Sequence, residues 1–292
     1  MTIPYRLSMV AITSLLAAAC GTQADAQSRM PVRDSQMFSR TLRFDGSRDR
    51  IVDVRTINGS IRVIAADITS VEVEAQRTIR AERESDVETA EREVTLDFLD
   101  AQSRIGVAVR HSGQTCGESF QSRNDWRRRY HVEVAFTIRV PRRTGLHLCT
   151  INGGAIRVEG TDGDFDISNI NGPIAIEGVR GAGIAETING DLTAAFAEVP
   201  RGELRLKTLN GDVEATFPTD LAADLSLATR NGELLTDFDV QVLPQRPERS
   251  ERSNGLFVYR TDGSARVRVG GGGPALRLET FNGDVRVLKE RR

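Results

Sequence analysis

Histidine, tyrosine and tryptophan are scarce in this 292-residue sequence, and the scarcity narrows the chemistry open to it. His111, His131 and His147 are its only imidazoles, and none stands at metal-ligand or triad spacing. There is no Gly-x-Ser-x-Gly elbow and no phosphate-binding loop, so no catalytic residue is assigned. One tryptophan and three tyrosines leave few platforms on which a sugar could stack. Net charge is also missing. With 39 basic and 41 acidic residues the sum is -2, so no global field draws the chain to nucleic acid or to an anionic membrane. Short basic runs such as Arg127-Arg128-Arg129 read as solvated surface. Without Cys-x-x-Cys, a zinc or redox motif has no basis, and no cofactor is expected.

The longest apolar run, Met9 to Ala19, is too short to span a bilayer. Together with Arg6 before it and Ala24-Asp25-Ala26 after it, the run reads as an export signal over residues 1–26. A rival reading is a lipoprotein signal ending at residue 19, since Ala17-Ala18-Ala19-Cys20-Gly21 is similar to a lipobox and would make Cys20 the lipidated first residue. That anchor would be the chain's one link to a membrane. Either way Cys116 and Cys149 remain as an even pair in an oxidising compartment, either bridged or as two free thiols.

After a polar linker at 27–36, apolar and polar residues alternate at Thr41–Phe44, Ile51–Thr56, Ser60–Ala65 and Val71–Ala75, the period of half-buried strands. Glu84–Glu93 departs from it. There Val87, Ala90 and Val94 fall at helical spacing, which predicts one short amphipathic helix. Strands resume at Thr95–Leu99, Ile105–Arg110 and Tyr130–Val140, with a mobile loop expected at 111–129. This β-rich section, 37–145, precedes a repeat region at 146–292.

The frame apolar-x-apolar-x-Thr-x-Asn-Gly-x-apolar-x-apolar recurs, with asparagines at Asn58, Asn152, Asn171, Asn189, Asn210, Asn231 and Asn282. From Asn152 to Asn231 the spacings are 19, 18, 21 and 21 residues, a solenoid period. Two architectures compete. Asn-Gly between apolar runs is a hairpin signal, in which flanking segments pair with each other. A parallel β-solenoid pairs each segment with its counterpart one repeat away, and we favour it because Thr and Asn recur at matching places. In it Asn152, Asn171, Asn189, Asn210, Asn231 and Asn282 would form an inward-facing amide ladder about 4.8 Å per step. An insertion loop at 239–262 interrupts the array.

Two further patterns ride on the repeat. Acidic residues follow Asn-Gly, and Asp191, Asp212 and Glu233 on adjacent rungs would make a weak calcium candidate; a solvated acidic turn explains them equally. Between Thr and Asn stands an apolar residue, Ile151, Ile170, Ile188, Leu209 or Phe281. These should point outward, as a docking stripe or as a second core layer covered by the front section or the insertion.

The Thr-x-Asn-Gly-Asp-Val register, the export signal and the mixed front section resemble the bacterial adhesin-like family of exported β-strand-repeat proteins of unknown function. The resemblance covers roughly Ile51 to Leu288. It departs at Gly153-Gly154-Ala155, which carries an extra residue, at Asn169 in the Thr place, and at the insertion. It implies an extracytoplasmic all-β repeat fold and carries over no catalytic residue. The expected function is a non-catalytic adhesin-like binding or scaffold module of the cell envelope, in the periplasm or at the outer surface, with an envelope protein or polysaccharide as partner. The alternative is a polysaccharide lyase or hydrolase on a parallel β-helix.

Overall fold

The computed structural model describes residues 30–45, 50–101, 103–112, 114–117, 129–244, 251–253, 256–258 and 263–291. The leader expected at 1–26, with Cys20, lies outside the described residues, as do 118–128 of the expected loop and parts of the insertion.

The chain opens with four strands, β1 (Val32–Arg43), β2 (Ile51–Arg55), β3 (Ile61–Ala66) and β4 (Ser70–Ala81), then helix α1 (Glu84–Glu93). Three longer strands follow: β5 (Val94–Ala101), β6 (Arg104–His111) and β7 (Tyr130–Pro141). The repeats supply β8 (Gly145–Asn152), β9 (Ile156–Glu159), β10 (Phe165–Asn171), β11 (Ile174–Val179), β12 (Gly183–Glu186), β13 (Leu192–Phe196), β14 (Leu204–Lys207), β15 (Val213–Phe217), β16 (Ala223–Ala228) and β17 (Leu234–Thr236). Within and after the insertion come β18 (Val240–Val242), β19 (Glu251–Ser253), β20 (Leu256–Val258), β21 (Ser264–Val269), β22 (Ala275–Glu279) and β23 (Val285–Lys289).

Apart from the small β19–β20 pair, two large mixed sheets hold every strand. One runs β1-β4-β7-β3-β9-β11-β13-β15-β23-β17, the other β18-β21-β16-β22-β14-β12-β10-β8-β2-β6-β5. Neither closes into a barrel among the described residues. At each Asn-Gly the chain leaves the second sheet and enters the first, so the two flanking strands never pair with each other. Each instead pairs in parallel with its counterpart, as Leu192 does with Val213 and Leu204 with Leu276. The hairpin reading is thereby excluded for these repeats.

Alternation places the core between the sheets. Leu204, Leu206 and Thr208 are buried before Asn210, and Val213, Ala215 and Phe217 after Gly211. Burying each of the larger apolar side chains stabilises the fold by about 1.5–3 kcal/mol. Phe196 and Phe217 stack with centroids 5.0 Å apart. Ala90 and the half-buried Val87 set α1 against the same core.

Three expectations need correction. β1 begins at Val32, inside the stretch read as a polar linker, and pairs with β4 along its whole length. It is the terminal strand of its sheet and largely exposed, which is why it reads as polar. No structural boundary falls at 145 either, because β2 pairs with β8 and β3 with β9, making the first Asn-Gly a rung of the same stack. Finally, the rungs are not stacked in chain order. β22 and β23 lie between β14 and β16 and between β15 and β17. β21 covers the outer side of β16 in antiparallel fashion, so the chain doubles back and enters on the inner side.

Candidate functional site

Where each rung turns at Thr-x-Asn-Gly, the side chains form four parallel columns along one edge of the molecule. The innermost is threonine. Thr150 Oγ1 donates to the Gly59 carbonyl at 3.1 Å, Thr187 to Gly172 at 2.9 Å, Thr208 to Gly190 at 2.8 Å, Thr280 to Gly211 at 2.8 Å and Thr229 to Gly283 at 2.8 Å. Asn169 replaces threonine and makes the same bond through Nδ2, at 2.9 Å from the Gly154 carbonyl. Its Oδ1 is buried with no partner among the described residues. Sequence reasoning noted the recurrent threonine but missed this role, whose signal was a hydroxyl at six of the seven repeats on a face otherwise apolar.

The glycines allow that stacking. A Cβ on Gly190 would stand 2.4 Å from the Gly172 carbonyl oxygen, and one on Gly232 would stand 1.9 Å from that of Gly283. Close approach of neighbouring rungs thus excludes a side chain at Gly190 and Gly232, where φ is not left-handed. Gly153, the extra residue of its repeat, is different: its φ is +70° and nothing lies within 4 Å.

The amide column is continuous, but it stands on the surface rather than inside. Asn152 Nδ2 donates to Asn58 Oδ1 at 3.0 Å, Asn171 to Asn152 at 3.1 Å, Asn189 to Asn171 at 2.8 Å and Asn210 to Asn189 at 2.8 Å. Asn282 then donates to Asn210 and Asn231 to Asn282, both at 2.7 Å. All the amides point one way, and the last donor, Asn58, ends on the Val132 carbonyl at 3.1 Å. Asn58 was not expected among the ladder residues. The inward placement fails because the backbone bends at the preceding residue, so Thr208 still faces the core while Asn210 has swung out.

Outside the amides run the acids, in the order Asp191, Asp212, Asp284, Glu233. Each of the first three accepts the backbone N–H of the next at 2.9–3.0 Å. The intercalated last rung therefore separates Asp212 from Glu233, which the calcium reading had as neighbours. Arg286 donates to Asp212 at 2.6 Å and to Asp284 at 2.5 Å. The Asp284 backbone N–H, and then Arg286, hold the Asp212 carboxyl below its ordinary range. Among the described residues, no group of three His, Cys, Asp or Glu is placed to hold a metal.

Beside the amides lies the apolar column. Ile188, Leu209 and Phe281 are 42, 42 and 44 % exposed and occupy successive rungs, and Arg230 continues the row with its guanidinium 5.7 Å from the Phe281 ring centre. At the other end Ile57 is buried and Ile151 and Ile170 are half-buried. The stripe is thus open over its last three rungs.

The remaining candidates lie elsewhere. Cys116 and Cys149 form a disulfide, with Cα atoms 5.7 Å apart, that ties the turn at 114–117 to β8. His147 lies on the outer face of the second sheet, its Nδ1 3.4 Å from Arg104, which also pairs with Asp53. Burial raises the Asp53 carboxyl, but Arg55 and Arg104 outweigh it and hold the group below its ordinary range. His111 contacts Tyr130 at 3.1 Å, and Tyr130 donates to Glu93. His131 is exposed on β7.

No family model matches this sequence, and no curated protein matches it either. Among the solved structures that are similar at low identity are two of bacterial origin. One, from Clostridium sporogenes, is provisionally described as a cell adhesion protein; identity is 7 %, 88 % of this chain and 100 % of that one are covered, and the TM-score is 0.39. The other, provisionally an adhesin from Bacteroides fragilis, shows 9 % identity, coverage of 87 % and 97 %, and a TM-score of 0.36. Among the described residues, no helix is long and apolar enough to cross a membrane.

Proposed function

We propose that this chain is an exported β-solenoid that works without catalysis, as an adhesin-like binding or scaffold module of the bacterial cell envelope. One observation carries the reading: an unbroken, exposed amide column runs beside an apolar stripe open at Ile188, Leu209 and Phe281. Rungs locked by threonine bonds and a shared core hold that face rigid, so binding would cost little ordering entropy. Apolar patches left exposed on a monomer commonly mark interaction sites. The partner would be an envelope protein or polysaccharide meeting aliphatic side chains and regularly spaced amides together. The Cys116–Cys149 bridge supports an oxidising compartment, in keeping with the leader expected at 1–26. On this reading Asp53, Arg55, Arg104 and His147 pin strands together rather than transform a substrate.

The test is a pull-down from envelope fractions with the purified exported chain, beside a variant carrying Leu209→Asp and Phe281→Asp. A partner recovered by the wild type and lost by an equally stable variant is expected. Recovery of no partner, with turnover of a cell-wall or capsular glycan, would overturn the proposal in favour of an enzyme.

A further inference from the structure

At the opposite end of the molecule the two sheets reach their other edges. Their outermost strands, β1 and β5, bound a cavity of about 310 Å³. Its floor is apolar: Val94, Val109 and Val134 are buried there, with Phe38, Leu96 and Phe98 half-buried around them. Two guanidinium groups line its wall. Arg40 reaches from β1 across to β5 and lies 4.6 Å from the Phe98 ring centre. Among the described residues it has no carboxylate partner. Arg77 lies 5.5 Å from the Phe38 ring centre and donates through Nη2 to Gln36 at 2.8 Å and to Glu91. Its Nε is buried with no acceptor among the described residues.

Two arginines against one glutamate leave the lining with one surplus positive charge, which suits a monoanion. The apolar floor suits a hydrocarbon tail, and the volume lies at the small end of ligand pockets, about 300–1,000 Å³. We propose that this cavity binds a medium-chain fatty acid, with the acyl chain between the sheets and the carboxylate on Arg40. The recognition face lies among other rungs, so this site is independent of the function proposed above.

Isothermal titration of the whole exported chain with octanoate, decanoate and dodecanoate, each below its micelle concentration, tests the site. Affinity should rise about fourfold per added methylene, from the hydrophobic transfer value, and level off once the chain fills the cavity. Dodecyltrimethylammonium, with the same tail and the opposite charge, should bind far more weakly. Arg40→Gln should weaken decanoate binding about tenfold, the worth of a charged hydrogen bond, and Val109→Trp should abolish it by filling the floor. Should the tryptophan variant fail to fold, a diazirine-bearing fatty acid photolysed on the wild type gives the same information, with adducts expected on β1 and β5 peptides. Absence of both heat and adducts would overturn the proposal. So would equal binding of the ammonium, which would show that the tail alone is read, or an Arg40→Gln variant of undiminished affinity.

Discussion

Asn282 donates its side-chain amide to Asn210 at 2.7 Å and accepts that of Asn231 at 2.7 Å, although 72 and 51 residues of chain separate it from these partners. The last repeat is therefore the link between two earlier ones. Without it, β16 and β17 have no parallel neighbour on their inner side.

A chain ending at Gly270 should consequently lose more than it lacks. Parallel pairing of β16 and β17 with β22 and β23 disappears, and Leu225, Leu227 and Leu234 lose their packing against Leu276, Leu278 and Val285. Hydrogen exchange followed by mass spectrometry should show β16 and β17 exchanging fast while β10–β13 stay protected. Retained protection over 223–236 would show that the final repeat is dispensable.

Glycine substitutions should separate close approach from backbone conformation. Gly190→Ala sets a methyl 2.4 Å from the Gly172 carbonyl, a contact that neither neighbour can relieve without parting two rungs. We expect a cost of about 3–5 kcal/mol, the range of severe core disruption. Gly153→Ala meets no atom within 4 Å and pays only for its left-handed φ of +70°, about 1–2 kcal/mol. Urea unfolding of both variants checks the ranking, and a reversed order would refute the stacking account.

The buried threonine column predicts an asymmetry of its own. Thr208→Val keeps the shape but leaves the Gly190 carbonyl without its 2.8 Å donor, at a cost of about 1–3 kcal/mol. Thr208→Ser keeps the donor and loses one methyl, about 0.8 kcal/mol. At the exceptional repeat the sign turns over. Asn169→Thr restores the hydroxyl and removes a buried Oδ1 that has no partner among the described residues, so the urea midpoint should rise, by about 1 kcal/mol in stability.

Much of this architecture was legible in the residues themselves. Period-two alternation located most strands, and Val87, Ala90 and Val94 at helical spacing located α1. Two things were not. Whether an asparagine faces in or out depends on the bend just before it, which parity counted along a regular strand cannot show: strand geometry ends at Lys207 in one repeat and at Glu186 in another. The order of rungs was hidden because every repeat presents the same pattern, so local sequence does not say whether Leu276 belongs beside Leu204 or beyond Leu225. Long-range pairing decides that. The cleft between β1 and β5 was hidden for a related reason, since it is built from strands almost 60 residues apart, of which the first read partly as a polar linker and the second as a separate half-buried strand.

Asp53 and Asp212 both contribute to acid stability, and salt should distinguish them. Asp53 and Asp212 both titrate below their ordinary value of 3.8 in the folded chain. A depressed folded value means that the unfolded chain binds protons first. The stabilisation is therefore complete above about pH 4 and is lost as pH falls through the lower folded value. Asp212 meets Arg286 at the surface, with side chains 40 and 30 % exposed, so added salt should screen its share. Asp53 is only 10 % exposed beneath Arg55 and Arg104, so its share should persist in 1 M salt. Urea midpoints of the wild type and of Asp53→Asn, measured from pH 7 to pH 2 at both ionic strengths, provide the check. At pH 7 the variant should be less stable, because two arginines lose their carboxylate, and the two curves should converge in acid. Parallel curves at every pH would mean that Asp53 contributes through packing alone and that the Arg55 and Arg104 pairing adds nothing to stability.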